Sequence, residues 1–270
     1  MLGFHTLPNE LKEVIFLLLP LDDLMECRCV CQLWLKIIDC DVFWIKKFSQ
    51  KNLDFATSVQ NLPICFYRDI YDSQASFKNN LVRNGDCSMK LFSQSPNKFP
   101  YWLHVGNFHS TWSKKLLGTT SILLPKQLEG TRACFSAELT HGPNEMHQKI
   151  SLKELGIPMR LIYALKPMVR FSAWFYIFSG RTSSVLTMLK LLDSNDRILA
   201  TQRKQVPEDE TDRGGYWTKV VMVFEPRTTA SLDKILVMFL GDHILIANVH
   251  LHLIMDSDDL QREEEEEEAD

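Results

Sequence analysis

The chain has 270 residues, 45% hydrophobic and 24% charged, with a formal net charge of −4 at pH 7. That balance excludes a disordered polymer, and the length allows one large domain or two modest ones. Six acidic residues form the run Glu263 to Glu268, so the remainder is near neutral, and the scattered pairs Lys46-Lys47 and Lys114-Lys115 make no basic footprint of the kind nucleic acid requires.

Residues 7 to 18 open with a helical period: Leu7, Leu11, Val14, Ile15 and Leu18 recur at spacings of three and four, with Pro8 at the start and Pro20 as the stop. After Asp22 and Asp23, a second helix is expected to carry Leu24, Cys27, Cys31, Trp34 and Ile38 on one face. Asp41 is expected to cap a third, short helix bearing Phe43, Trp44 and Phe48. About fifty residues thus form three helices that need a neighbour or a partner to be stable. Residues 51–77, with Leu62, Phe66, Tyr67, Ile70 and Tyr71 as anchors, read as a linker with one short helix.

Beyond residue 80 the period changes to short apolar runs bounded by Gly, Pro, Asn and Asp. Strands are expected at Tyr101 to Phe108, Arg132 to Leu139, Met168 to Phe178, Ser184 to Leu192, Ile198 to Thr201, Tyr216 to Phe224, Lys234 to Leu240 and Ile244 to Met255. The fold class is therefore α+β by segregation: helices first, then an all-β antiparallel sandwich over residues 78–257, then an acidic tail over 258–270. No repeat of fixed period is present.

The chemistry of an enzyme is missing from the pattern. There is no G-x-S-x-G turn and no phosphate-cradling glycine loop. The seven cysteines (Cys27, Cys29, Cys31, Cys40, Cys65, Cys87, Cys134) are odd in number and sit mostly in apolar contexts, which argues against a disulfide framework. On a continuous helix Cys27 and Cys31 would share a face and Cys29 would point away, and no matching ligand pair follows, so no metal is expected. His250 and His252 alternate with Val249, Leu251 and Leu253 as an ordinary outside face, and His141 and His147 are expected in a loop. No cofactor is implied. With no signal peptide, and with the most apolar stretch, Val14 to Leu19, stopped at Pro20, the expected address is the cytoplasm, with the nucleus second and no membrane insertion.

The ordered set Leu7-Pro8 to Leu11, Ile15-Phe16-Leu17-Leu18, Leu21-Asp22-Asp23-Leu24, Cys27-Arg28-Cys29-Val30-Cys31, Trp34 and Phe43-Trp44 resembles the F-box over residues 1–50. The resemblance implies three helices that dock on the Skp-type adaptor of a cullin–RING ubiquitin ligase, here through Leu7, Pro8, Leu11, Ile15, Leu18, Leu21, Leu24, Val30, Trp34 and Trp44. Further on, Phe66 to Tyr71, Asn79 to Gly85, Phe178 to Arg181, Leu189 to Leu192 and Gly214 to Trp217 resemble the landmarks of the F-box-associated domain of the glycoprotein-recognising F-box proteins. That family's domain is a jelly-roll-like sandwich of about ten strands. In its sugar-binding members a late loop presents a Tyr-Trp-Lys triplet to the core of N-glycans. Here the segment reads Gly241-Asp242-His243-Ile244-Leu245-Ile246-Ala247, and the triplet is absent. Leu245 and Ile246 supply neither a ring face nor a hydrogen bond, although Phe135 stands where the family has another contact.

The resemblance thus implies a non-catalytic substrate-recognition subunit of a ubiquitin ligase that binds a protein target through the sandwich. The alternative is lectin-like recognition of N-glycans on misfolded glycoproteins, with Phe135, Asp242, His243, Ile244, Leu245 and Ile246 as the candidate loop.

Overall fold

The computed structural model describes residues 7–50, 66–89 apart from 68, 72, 74–76 and 78, and then 99–105, 112–117, 122–137, 144–178, 185–206, 215–225 and 232–254 apart from 242. The chain forms two compact units, Met1–Ala75 and Ser76–Asp270. The Glu263 to Glu268 run and the landmarks Ser179 to Arg181 and Gly214 lie outside the described residues.

Four helices, rather than three, fill the first fifty residues: α1 Asn9–Leu18, α2 Leu21–Arg28, α3 Gln32–Ile38 and α4 Asp41–Ser49. The expected second helix breaks at Cys29–Cys31. Val30 closes a tight turn onto the Cys27 carbonyl, and Cys31 is fully extended with φ −160° and ψ 164°. A β-branched residue among three cysteines favours continued helix only weakly, so the local cost of the break is small. The shared face expected for Cys27 and Cys31 does not exist across this break. The break re-aims α3 so that Trp34 meets Phe16 edge-on at 5.2 Å. A forked ion pair from Arg28 to Asp39 then ties the end of α2 to the end of α3, with Nη2 2.9 Å from Oδ2. Asp41 is the first residue of α4 and not its cap; Cys40 holds the cap position, and Asp41 accepts a hydrogen bond from the Tyr67 hydroxyl.

The core of this unit is Phe16, Leu24, Ile38, Phe43, Trp44 and Phe48. Tyr67 and Ile70, anchors of the expected linker, belong to it: Tyr67 is buried and stacks on Trp44 at 5.6 Å with 4° between the rings. Lys47 buries its aliphatic stem and donates through Nζ to the carbonyls of Leu17 and Leu19, at 3.0 and 2.8 Å. These are carbonyls that α1 cannot satisfy internally before Pro20, so a cation from α4 closes its C-terminus.

The second unit is two antiparallel sheets of five strands. With β1 Leu103–Val105, β2 Trp112–Leu116, β3 Ala133–Ala137, β4 Asn144–Ser151, β5 Met168–Ile177, β6 Val185–Leu192, β7 Ile198–Val206, β8 Tyr216–Phe224, β9 Lys234–Gly241 and β10 Ile244–Ile254, the orders are β1-β4-β9-β6-β7 and β2-β3-β10-β5-β8. Buried and half-exposed positions alternate strictly in β9 and along most of β5 and β6, which reflects one face turned inward. Phe239 sits at the middle of the interior, with Trp102, Phe171 and Phe175 at ring distances of 5.7 to 6.0 Å. Two strands, β2 and β4, carry no legible apolar alternation, and α5, Met159–Leu165, ends on Lys166 at φ 47° rather than on a glycine.

The residues that start this unit, Asn79 to Gly85, clamp its last strand. β10 slips register between Ala247 and His250, and Asn248 adopts φ 47° there. Asn80 answers the slip with its side-chain amide: Nδ2 donates to Val249 O at 2.8 Å, and Oδ1 accepts from Leu251 N at 2.9 Å and from Val82 N at 3.0 Å. Gly85 lies so close that a β-carbon would stand 2.1 Å from Val249 O. Asn80→Ala leaves two backbone groups of β10 short of a partner, so an expected loss of about 2–4 kcal/mol of stability in the β unit should appear as a lower urea midpoint, with the slope of the transition unchanged.

Candidate partner-binding site

The first helix divides its circumference in an unusual way. Phe16 and Lys12 face the core, whereas Leu11, Val14, Ile15 and Leu18, at spacings of three, four and seven, are 51%, 52%, 36% and 77% exposed. Four large apolar side chains therefore form one stripe in water. A second set, Val30, Leu33 and Val42, is exposed on the α2–α3 turn and on the helices that follow. The stripe is bordered by Glu13, which pairs with Lys46 of α4 at 2.8 Å.

The residues expected to bind an adaptor thus separate into two groups. Pro8, Leu11, Ile15, Leu18 and Val30 are exposed, and Leu7 and Trp34 are half-buried. Leu21, Leu24 and Trp44 are buried in the helical core and support the surface without forming it. Val14, Leu33 and Val42 were not assigned to the surface from the sequence. For Val14 the signal was present, since it continues the Leu11 stripe.

In the β unit the candidate glycan loop is corrected. Phe135 is an interior residue, 4.9 Å from Phe99 and 5.5 Å from Trp102, and Ile244, Leu245 and Ile246 are fully buried in β10. Ile246 registers beside Phe135 and faces the same core. Leu245 faces the other side, where Cys134, Ala247, Leu117 and Leu128 form a second apolar cluster, with Trp174, Tyr176, Phe178 and Trp217 around it. The segment is strand and core because its apolar run satisfies both faces of a covered sheet. His243 occupies the β9–β10 turn at φ 53°, and Asp242 lies outside the described residues.

The histidines are similarly placed by the sheets. His147 is in β4 and not in a loop, with Nδ1 3.1 Å from Glu145 Oε1; His141 lies outside the described residues. His250 and His252 stack at 5.8 Å on the face of β10 away from Val249, Leu251 and Leu253. Among the described residues no group of three or more His, Cys, Asp or Glu could hold a metal ion. None of their helices is long and apolar enough to cross a membrane.

The architecture is that of a small helical unit with an open apolar surface, followed by a two-sheet sandwich. Residues 4–50 match the F-box-like family model. No curated protein matches the chain. Among solved structures, the enzymatically active domain of the bacteriophage CBA120 tailspike protein 4 is similar at 14% identity and TM-score 0.40, covering 65% of this chain and 21% of that one. The chain therefore spans about a fifth of that domain's length. A Stig cyclase from Fischerella sp. TAU is similar at 14% identity and TM-score 0.45, covering 65% of this chain and 97% of that one. The C-terminal family 22 carbohydrate binding module of Clostridium thermocellum Xyn10B is similar at 12% identity and TM-score 0.36, covering 58% and 88%.

Burial holds His104, His250 and His252 below the ordinary imidazole range, His104 down to about 4, with His147 adding repulsion at His104, and nearby His252, Lys219 and Arg170 doing so in β10. A histidine whose native pKa is depressed is neutral in the fold and charges more readily when unfolded. Its contribution is whole above the unfolded value near 6.5 and is lost as pH falls toward 4. Urea midpoints of the β unit are therefore expected to fall between pH 6.5 and 4, and His104→Phe is expected to flatten that slope. A slope indifferent to this substitution contradicts the assignment.

Proposed function

We propose that this chain is the substrate-receptor subunit of a Skp–cullin–F-box ubiquitin ligase. The helical unit binds the Skp-type adaptor through the α1 stripe and its neighbours, the adaptor joins the chain to the cullin–RING scaffold, and the sandwich holds a target protein. The observation that carries this reading is the exposure of Leu11, Val14, Ile15 and Leu18 within a segment that matches the F-box-like family model. Covering such side chains is worth about 1.5–3 kcal/mol each at full burial, enough for a stripe of four to supply the centre of an interface.

The chain's part in the reaction is positional. Holding a target lysine near a charged ubiquitin carrier converts a bimolecular encounter into a local one, and the bond-making belongs to the partners. The two buried cysteines of the sandwich are unsuited to nucleophilic catalysis. Burial pushes the Cys87 and Cys134 thiols up to about 12, which leaves neither as a nucleophilic thiolate. The six described cysteines are free, in keeping with a reducing compartment such as the cytoplasm. The burial of Phe135, Leu245 and Ile246 leaves a glycan-binding role for these residues without a surface to act through.

Leu11→Asp combined with Leu18→Asp changes two exposed positions and is expected to abolish capture of purified Skp-type adaptor while leaving the melting temperature within about 2 °C, as befits exposed sites. Leu24→Ala, in the core, is expected to lower the melting temperature of the helical unit through a loss of about 2–5 kcal/mol. Undiminished adaptor capture by the double aspartate variant contradicts the proposed surface.

A further inference from the structure

Among the described residues, the edge of β4 opposite β9 is paired over only part of its length, with the Ser151 carbonyl at its end taken by Leu155 N at 3.3 Å. β9 pairs with it from Asn144 to Ser151, whereas β1 pairs only with Glu145, Met146 and His147. The chain that would continue β1 beside Gln148 and Lys149 turns away at Tyr101, whose φ of 71° is a conformation that a bulky residue adopts only when its surroundings hold it there. The result is a groove of about 180 Å³ along residues 148–151, with Arg83 and Tyr101 by its Gln148 end and Glu154 beyond Ser151.

Arg83 is held in place at both its backbone and its side chain. Its backbone is gripped on both sides by the buried Gln148 amide, with Arg83 N donating to Oε1 at 2.8 Å and Gln148 Nε2 donating to Arg83 O at 2.9 Å. Its guanidinium lies 5.1 Å over the Tyr101 ring, which is itself half exposed. Among the described residues no carboxylate pairs with Arg83, whereas the neighbouring Lys149 is held by Asp196 at 3.0 Å. The groove therefore offers a stacked cation at one end and a carboxylate, Glu154, at the other. Its volume is well below the roughly 300–1,000 Å³ of sites for free small molecules. One or two side chains of a longer segment fit that space better.

We propose that this groove takes an extended, acidic segment of the target protein, which adds as a short strand along the open stretch of β4 and places a carboxylate on Arg83. Backbone pairing supplies the register, and the charge supplies the choice of residue. Glu154 sets the polarity by disfavouring a second acid at the far end. This assignment rests on the reading of the sandwich as the target-holding unit.

The test uses the full-length chain on an array of seven-residue peptides, randomised except for one fixed position occupied by Asp, Asn or Lys. Asp-fixed peptides are expected to retain the chain about three- to tenfold better than Asn-fixed ones, the range of a partly exposed charge pair. Arg83→Glu is expected to shift the preference to Lys, and Arg83→Gln to erase it, both with an unchanged melting temperature. Equal retention of Asp- and Asn-fixed peptides, no retention of any peptide by the parent chain, or an Asp preference that survives Arg83→Glu overturns the groove. Photo-crosslinking in cell extract separates the two readings. Equal yields of the same crosslinked proteins from the parent chain and Arg83→Glu sink the groove and leave the receptor reading standing. Absence of crosslinked proteins from both, with adaptor bound, sinks both.

Discussion

A ten-residue helix that carries apolar side chains around most of its circumference cannot bury all of them in a unit of four short helices. In α1 the geometry resolves this by giving the core Phe16 and the stem of Lys12, and giving water Leu11, Val14, Ile15 and Leu18. Everything else in the helical unit follows from holding that orientation. Lys47 fixes the C-terminal end by taking the Leu17 and Leu19 carbonyls, Trp34 fixes the middle through Phe16, and the Cys29–Cys31 break lets α3 reach that contact. The interior aromatic stack of Trp44 and Tyr67 draws residues beyond fifty into the same core. An exposed apolar stripe of this size on a helical unit so small is the kind of surface that a partner can cover with a gain in stability.

The sandwich is built differently, and its irregular strand is its last. β10 lies between β3 and β5 and faces an apolar cluster on each side, so its register must be held even though it slips at Asn248. Asn80 and Gly85 supply that hold from the other end of the unit. Gln148 couples the same starting segment to β4, where a buried amide replaces the apolar residue that alternation would call for. The start of the unit is thus stitched to strands far away in sequence.

Much of this was legible in residues alone. The stripe of α1, the switch from helical to strand periods, and eight of the ten strands follow from apolar spacing. The strands that escaped, β2 and β4, escaped for a physical reason: in β4 the inward positions are Asn144, Met146, Gln148 and Ile150, so two of four core sites are amides, and Gln148 is satisfied by the backbone of Arg83. The division of the adaptor residues into surface and core was also invisible. Leu18 and Leu24 are the same residue type at helical spacing, and only packing determines that one is 77% exposed and the other fully buried. Apolar spacing placed Leu245 and Ile246 in a strand from Ile244, as the structure has them, and only the family's loop position, carried over onto the same run, placed them in a presenting loop. Such a run, covered on both faces, forms a central strand.

Hydrogen exchange of the full-length chain, with and without purified Skp-type adaptor, tests the central claim most directly, because it reports which backbone the adaptor covers. The account predicts slowed exchange in α1 and in the α2–α3 turn, with β3, β5 and β10 unchanged. Slowing confined to the β strands, or no slowing anywhere at saturating adaptor, would contradict it.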